Sequence, residues 1–283
     1  MEKFAILVFL IFLVSLTHYS NASAVKILEP IQQVISNGNA NAVNLGMVGP
    51  GQKVDIEVSN DTFVKTVIGS NYSIAGDYNW DIVKVNESTL SSGWVGQNSG
   101  LYENPLKAYV IIGPNASDGN YEFSFQAVNN YGDVAPQTIF ATATVSRNVF
   151  SLSIVNDPVK VYLGSSADYQ VKLTNSGNAD DVFTLTASGI TGVQPFSTQV
   201  FVAKQSSVLV PVSMFPKEPG TYPIDFYAQS LSSSSINSTA TTTLFAGSDL
   251  LTDAKASARG FLLFPWSESY VYSIWAAIGS LLK

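Results

Sequence analysis

The sequence predicts an all-β chain of two tandem sandwiches followed by an apolar C-terminal helix, and three observations carry that prediction. The first is a pattern that occurs twice, about a hundred residues apart. Asp118-Gly119-Asn120-Tyr121 precedes Phe123, Phe125 and Ala127; Pro219-Gly220-Thr221-Tyr222 precedes Ile224, Phe226 and Ala228. Each is a glycine turn, a tyrosine and then apolar residues at every second position, which is the mark of a half-buried strand. The second is a succession of short Val-, Thr-, Tyr- and Phe-rich segments separated by Gly, Pro, Asn and Asp. The third is a change of period after Gly247-Ser248, where apolar residues recur at helical spacing.

In the first half the expected strands are Val25–Leu28, Lys53–Val58, Phe63–Ile68, Trp80–Val85, Leu106–Ile112, Tyr121–Val128 and Ile139–Val145. Their turns carry Gly49-Pro50-Gly51, Asn60-Asp61, Gly76-Asp77, Gly113-Pro114 and Asp118-Gly119. In the second half they are Phe150–Val155, Ala167–Thr174, Val182–Ala187, Gln199–Val202, Ser207–Met214, Tyr222–Gln229 and Ala240–Phe245. The halves overlay: Lys53–Val58 on Asp168–Leu173, Trp80–Val85 on Val182–Ala187, Leu106–Ile112 on Ser207–Met214. A tyrosine opening the late strand of each repeat matches the tyrosine corner of immunoglobulin-like sandwiches, and Tyr121 and Tyr222 are expected in that role. Two immunoglobulin-like β-sandwiches follow, over residues 25–147 and 148–248, with Trp80 as a core residue.

The N-terminus reads as a secretory signal peptide over residues 1–24. Met1-Glu2-Lys3 is charged, Phe4 to Leu16 is apolar, and Ala22-Ser23-Ala24 offers an A-x-A cleavage site. An uncleaved anchor helix is the alternative, but an apolar run of about 13 residues falls short of the roughly 18 of a membrane span. The one histidine, His18, lies in this segment, and the chain has no cysteine. Beyond Ala24, then, Ser-His-Asp and Cys-His catalysis, His or thiolate zinc sites and thiol redox chemistry are excluded. Without Lys3 and Glu2 the 14 basic and 21 acidic residues become 13 and 20, so the net charge stays at −7. Scattered lysines on an acidic chain make a poor nucleic-acid partner, because phosphate contacts need clustered cations.

Leu163-Gly164, Tyr169-Gln170-Val171-Lys172-Leu173-Thr174-Asn175-Ser176-Gly177-Asn178, Val208-Leu209-Val210-Pro211-Val212 and Pro219-Gly220-Thr221-Tyr222 carry a likeness to a known module. Over roughly residues 149–246 the chain resembles the NEW3, or galactosidase-associated, immunoglobulin-like domain of archaeal and bacterial secreted surface proteins. The first half resembles it more loosely: Asn60-Asp61 replaces the Asn-x-Gly turn, and the middle is longer. The resemblance implies an accessory or spacer module and brings no catalytic residue. The tandem modules with a hydrophobic end also have an archaeal look.

Four regions are candidates for contact. The segment Glu87–Pro105 has no counterpart in the second half and holds Trp94 and Tyr102. Exposed, Trp94 would stack on a sugar face or fill a partner's pocket; folded back, it would close the loop. Beyond Ala24, sequons begin at Asn60, Asn71, Asn86, Asn115 and Asn237, five where chance supplies roughly four, so only their placement at turns speaks for glycosylation. Asn175-Ser176-Gly177-Asn178 is expected to be a turn; Asn178, Asp180 and Asp181 lack the spacing of a calcium loop. In residues 249–283, Ser267-Glu268 opens an expected helix over about 267–282. Phe261, Trp266, Tyr270, Val271, Ile274, Trp275, Ile278, Leu281 and Leu282 would meet a membrane interface or an envelope protein.

No catalytic pair, metal site or cofactor is expected. Asp118 with Asp133, and Asp77 with Asp81, flank strands as turn residues do. The expected protein is extracytoplasmic, at the cell surface or membrane-associated. It is non-enzymatic and attached through its tail. The alternatives are a carbohydrate-binding accessory unit using residues 87–105, and a glycosidase-like enzyme working with two carboxylates and no histidine.

Overall fold

The computed structural model describes residues 23–36, 43–63, 66–68, 73–75, 78–189 and 196–248. The expected signal segment before Ser23, the sequon asparagine Asn71, Asp77, and the tail from 249 with its expected helix and contact residues lie outside them. Among the described residues the chain is strand and turn, with no helical segment longer than the single 3-10 turns at Glu87–Thr89 and Arg147–Val149. It divides into two compact units. One runs to Val149 and takes in Ser176–Asp180; the other comprises Phe150–Asn175 and the chain from Asp181 onward.

The first unit contains β1 (Ala24–Glu29), β2 (Gln33–Ser36), β3 (Val43–Val48), β4 (Lys53–Val58), β5 (Thr66–Ile68), β6 (Ser73–Ala75), β7 (Ile82–Val85), β8 (Val95–Gln97), β9 (Leu106–Ile111), β10 (Gly119–Val128) and β11 (Gln137–Val145). One sheet has the order β2-β1-β4-β9-β8 and the other β3-β11-β10-β7, with β5-β6 a separate hairpin. Residues alternate in and out along β4, so Val54, Ile56 and Val58 meet Phe125, Ala127 and Ile139 from the facing sheet. Trp80 is enclosed with them, and its Nε1–H donates to the Ala24 carbonyl at 3.0 Å. Burying a ring of that size is favourable only when its one polar atom keeps a partner.

The second unit contains β12 (Phe150–Ile154), β13 (Val159–Tyr162), β14 (Ala167–Asn175), β15 (Asp181–Ser188), β16 (Phe196–Val202), β17 (Ser206–Met214), β18 (Gly220–Ser230) and β19 (Asn237–Gly247). Its sheets are β12-β14-β17 and β13-β19-β18-β15-β16. Phe150 stacks on Phe183 with centroids 3.8 Å apart, and Tyr169 meets Phe226 edge-on at 5.4 Å.

The two units share one plan, that of an immunoglobulin-like sandwich. In each, one early strand, β1 or β12, lies in one sheet, and a later one, β3 or β13, lies in the other and runs parallel to the last strand, β11 or β19. They differ at both edges of one sheet: β2 pairs with β1 where β12 has no such neighbour, and β8 pairs with β9 whereas β16 pairs with β15, in the opposite sheet. The long middle segment of the first half is therefore an edge strand laid on the other sheet. Several strands are absent from the sequence reading for a physical reason. β3 carries Asn44 and Gly46 and shifts register against β11, which spoils alternation. β8 is three residues long with its centre at Gly96, and β13 is half-exposed along its length. Trp80 and Asp81, expected within a strand, precede β7.

Candidate functional site

Two turns of the first unit face each other across a cavity of about 480 Å³. In the first, the Trp94 N–H donates to the Ser91 carbonyl at 3.0 Å, and Gly93 sits at φ +80° with open space where a side chain would be. In the second, the Ala116 N–H donates to the Gly113 carbonyl at 2.9 Å, which places Asn115 at the third position of the turn. This second turn is braced from outside. Arg147 donates through Nη1 to Asp118 at 2.8 Å and through Nη2 to the Ala116 carbonyl at 3.1 Å. The Tyr121 hydroxyl donates to the Ser117 carbonyl at 2.9 Å. In the second unit the Tyr222 hydroxyl makes the same bond, to the Glu218 carbonyl at 2.9 Å. Each tyrosine thus ties back to the residue four positions before it.

Trp94 is not a projecting loop residue. It is 8% exposed, belongs to the core cluster, and lies 5.1 Å from the Tyr121 ring centre and 6.1 Å from that of Phe123. The reading in which Trp94 projects outward to take a sugar or a partner is therefore corrected. Burial against two aromatic rings outweighs exposure of a large indole, and the Ser- and Gly-rich flanks only supply the turn that lets it fold back. What remains is one wall: Trp94 and Tyr121 line the cavity beside Ser91, Ser92, Pro114 and Asn115. Tyr121 is the only ionisable side chain among its lining residues.

Tyr102 lies apart from this cavity's lining. It is 56% exposed at φ +61°, and its N–H donates to the Asp81 carbonyl at 2.8 Å. The buried Asp81 carboxylate accepts the Asn130 N–H at 2.7 Å, so one residue gathers the 98–105 and 129–133 segments. Tyr131, 75% exposed, comes within reach of Tyr102, and hydrogen bonding with it holds the Tyr102 hydroxyl above the ordinary tyrosine value, with desolvation a smaller cause.

The described sequons differ in what their side chains do. Asn86 donates to Ser124 Oγ at 3.2 Å and Asn237 to the Ser234 carbonyl at 2.9 Å. At Asn60 the sequon hydroxyl, on Thr62, is buried and donates to the Tyr78 carbonyl at 2.6 Å. Asn115 is exposed, as is Ser117, and its amide makes no hydrogen bond among the described residues.

Of the carboxylates noted in the sequence, Asp118, Asp81 and Asp181 are spent on structure. Asp118 holds Arg147, and Asp81 holds Asn130. Asn178 donates through its backbone to the Met47 carbonyl at 2.7 Å and through Nδ2 to the Leu45 carbonyl at 2.9 Å. Asp181 accepts from Ser230 and Ser232 at 2.7 and 2.9 Å. Among the described residues no group of three His, Cys, Asp or Glu side chains gathers as a metal site. Sequence reasoning missed the cavity itself. Its signal was two glycine turns, Gly93 and Gly113-Pro114, each beside a residue too large or too polar for a bare connection.

No protein-family model matches the chain. No curated protein matches it. Among solved structures, a chimeric titin Z1Z2 pair shares 14% identity over 81% of this chain and 99% of its own, with a TM-score of 0.37. A CARDB domain from Pyrococcus furiosus shares 15% over 35% of this chain and 86% of its own, at 0.28. A β-glucosidase from Listeria innocua shares 16% over 35% of this chain, at 0.27, and only 16% of the glucosidase is covered. Likenesses at these TM-scores carry no argument about function; the fold rests on the strand order described above.

Proposed function

We propose that this chain is an exported, non-enzymatic surface protein. Two immunoglobulin-like sandwiches serve as its scaffold, and its apolar tail holds it to a membrane or to an envelope partner. The observation that carries this reading is the chemistry of the cavity: hydroxyls, one amide and two aromatic rings, with no acid–base pair. In a chain whose only histidine is His18 and which has no cysteine, such a surface suits contact better than catalysis. The leader-like start and the amphipathic spacing of Val271, Ile274, Trp275 and Ile278 support export and attachment. The NEW3 resemblance of residues 149–246 and the archaeal look belong to the same proposal, as modules of this kind serve as spacers.

Deletion of Phe261–Lys283 tests it. The full chain is expected in the envelope fraction and the truncated one in the soluble extracellular fraction. A truncated chain that stays with the envelope overturns the attachment.

A second reading has its own observation. The aromatic wall and hydroxyl rim between residues 91–94 and 113–117 fit the apolar face and hydroxyl edge of a sugar, which keeps the carbohydrate-binding alternative in play, with Trp94 as an edge-on wall.

A further inference from the structure

We propose that Asn115 carries an N-linked glycan and that the cavity beside it seats the first sugar ring. The inference rests on the export reading above, because attachment needs passage through a compartment that holds the sugar donor. Four features meet here. Asn115 is exposed with a free amide. It stands at the third position of a turn braced by Arg147 and Tyr121. Its sequon hydroxyl, Ser117, is exposed as well, unlike Thr62 of the Asn60 sequon. And the residue lines an open cavity of about 480 Å³, a size within the roughly 300–1,000 Å³ of small-molecule sites.

The cavity's chemistry selects the occupant. The apolar C–H face of a pyranose meets the aromatic wall that Tyr121 and the edge of Trp94 present to the cavity. Its hydroxyl edge meets Ser91 and Ser92. The lining residues carry no formal charge at neutral pH, which a phosphate or a peptide terminus would require. A sugar on Asn115 is tethered at the mouth, so seating it costs little further association entropy. The covalent step uses a lipid-diphosphate-linked sugar supplied by the host. The Asn115 amide nitrogen loses a proton and bonds to the anomeric carbon. The carbon–oxygen bond to phosphate breaks, and the lipid diphosphate leaves with that electron pair.

The test uses the full chain made in a glycosylating secretory host, once with its own N-terminus and once with the host's leader in place of residues 1–24. Glycopeptide mass spectrometry reads occupancy at Asn60, Asn86, Asn115 and Asn237. Nuclear Overhauser contacts then read where the first sugar lies after trimming to a single residue. Asn115 is expected to be filled, with sugar protons in contact with the Trp94 and Tyr121 rings. Ser117→Ala should remove the sugar, and Ser92→Tyr should keep it but abolish the contacts. An empty Asn115 alongside filled Asn86 or Asn237 overturns the proposal, and so does a filled Asn115 whose sugar contacts neither ring. Unmodified protein from a bacterial host, titrated with free N-acetylglucosamine, separates the sources. Shifts at Trp94 together with an empty Asn115 would mean a seat for free sugar and would overturn the attachment. Export failing only with the native N-terminus sinks the export reading and leaves the seat intact.

Discussion

Tyr169 holds a hydroxyl with nothing to donate to. The residue is fully buried against Phe226, and its oxygen has no partner among the described residues. Burial, with a smaller contribution from Asp157, pushes its ionisation up to about 12. The sign follows from which state releases the proton first. The unfolded chain ionises near the ordinary value of 10.0, whereas the folded one stays neutral until about 12. Stability is therefore complete below pH 10 and falls across that window by an amount on the order of 2–3 kcal/mol. Tyr169→Phe removes an unsatisfied buried oxygen and keeps the ring. It is expected to gain about 1 kcal/mol at neutral pH and to lose this part of the alkaline decline. Urea unfolding at neutral pH and at pH 11 measures both, and a variant less stable than the parent at neutral pH defeats the argument. The residue was legible from sequence as a core position of an alternating strand. Its stranded hydroxyl was not, because that depends on what Phe226 and its neighbours leave within reach.

The strands that open on a glycine and a tyrosine, β10 and β18, are where the sequence spoke most clearly. Both register fully against the strand that follows, β11 or β19, and send their alternate apolar residues inward. Their hydroxyl bonds sit near the surface, so Tyr121→Phe and Tyr222→Phe are each expected to cost about 1 kcal/mol, the net value of one hydrogen bond. Denaturant titration checks this, and a neutral effect at either position would mean that water replaces the bond there at no loss. Less was legible where pairing depends on distant chain. The half-exposed β13 is fixed by its parallel partner β19, more than eighty residues on. β8 and the buried Trp94 likewise take their places from Tyr109–Ile111, Tyr121 and Phe123. A window of local residues around Trp94 shows serines and glycines, and so reads as an exposed loop. The cavity between residues 91–94 and 113–117 was hidden for the same reason: neither turn alone encloses anything.

At the scale of the molecule, the first compact unit is not one continuous stretch. It includes Ser176–Asp180, where Asn178 caps the Leu45 and Met47 carbonyls and Ala179 joins the core cluster. Gly46 makes room for this: it sits at φ +80°, and a Cβ there would fall 2.0 Å from Asn178 Nδ2. Asn178→Ala in the full chain is expected to weaken the first unit by roughly 1–3 kcal/mol, the cost of stranding a buried acceptor. Hydrogen exchange resolved by strand should show faster opening of β3 and β11 with β15 and β18 unchanged. Uniform loosening of both units would contradict it. The same feature sets a timetable for synthesis. A chain that emerges from the ribosome N-terminus first has made every strand of its first sandwich by Val145, yet that sandwich lacks a piece of its core until Asp180 is out. The nascent first unit must wait, with the Leu45 and Met47 carbonyls open, while residues 146–180 are added. A pause or a nick in that interval would strand a nearly finished sandwich.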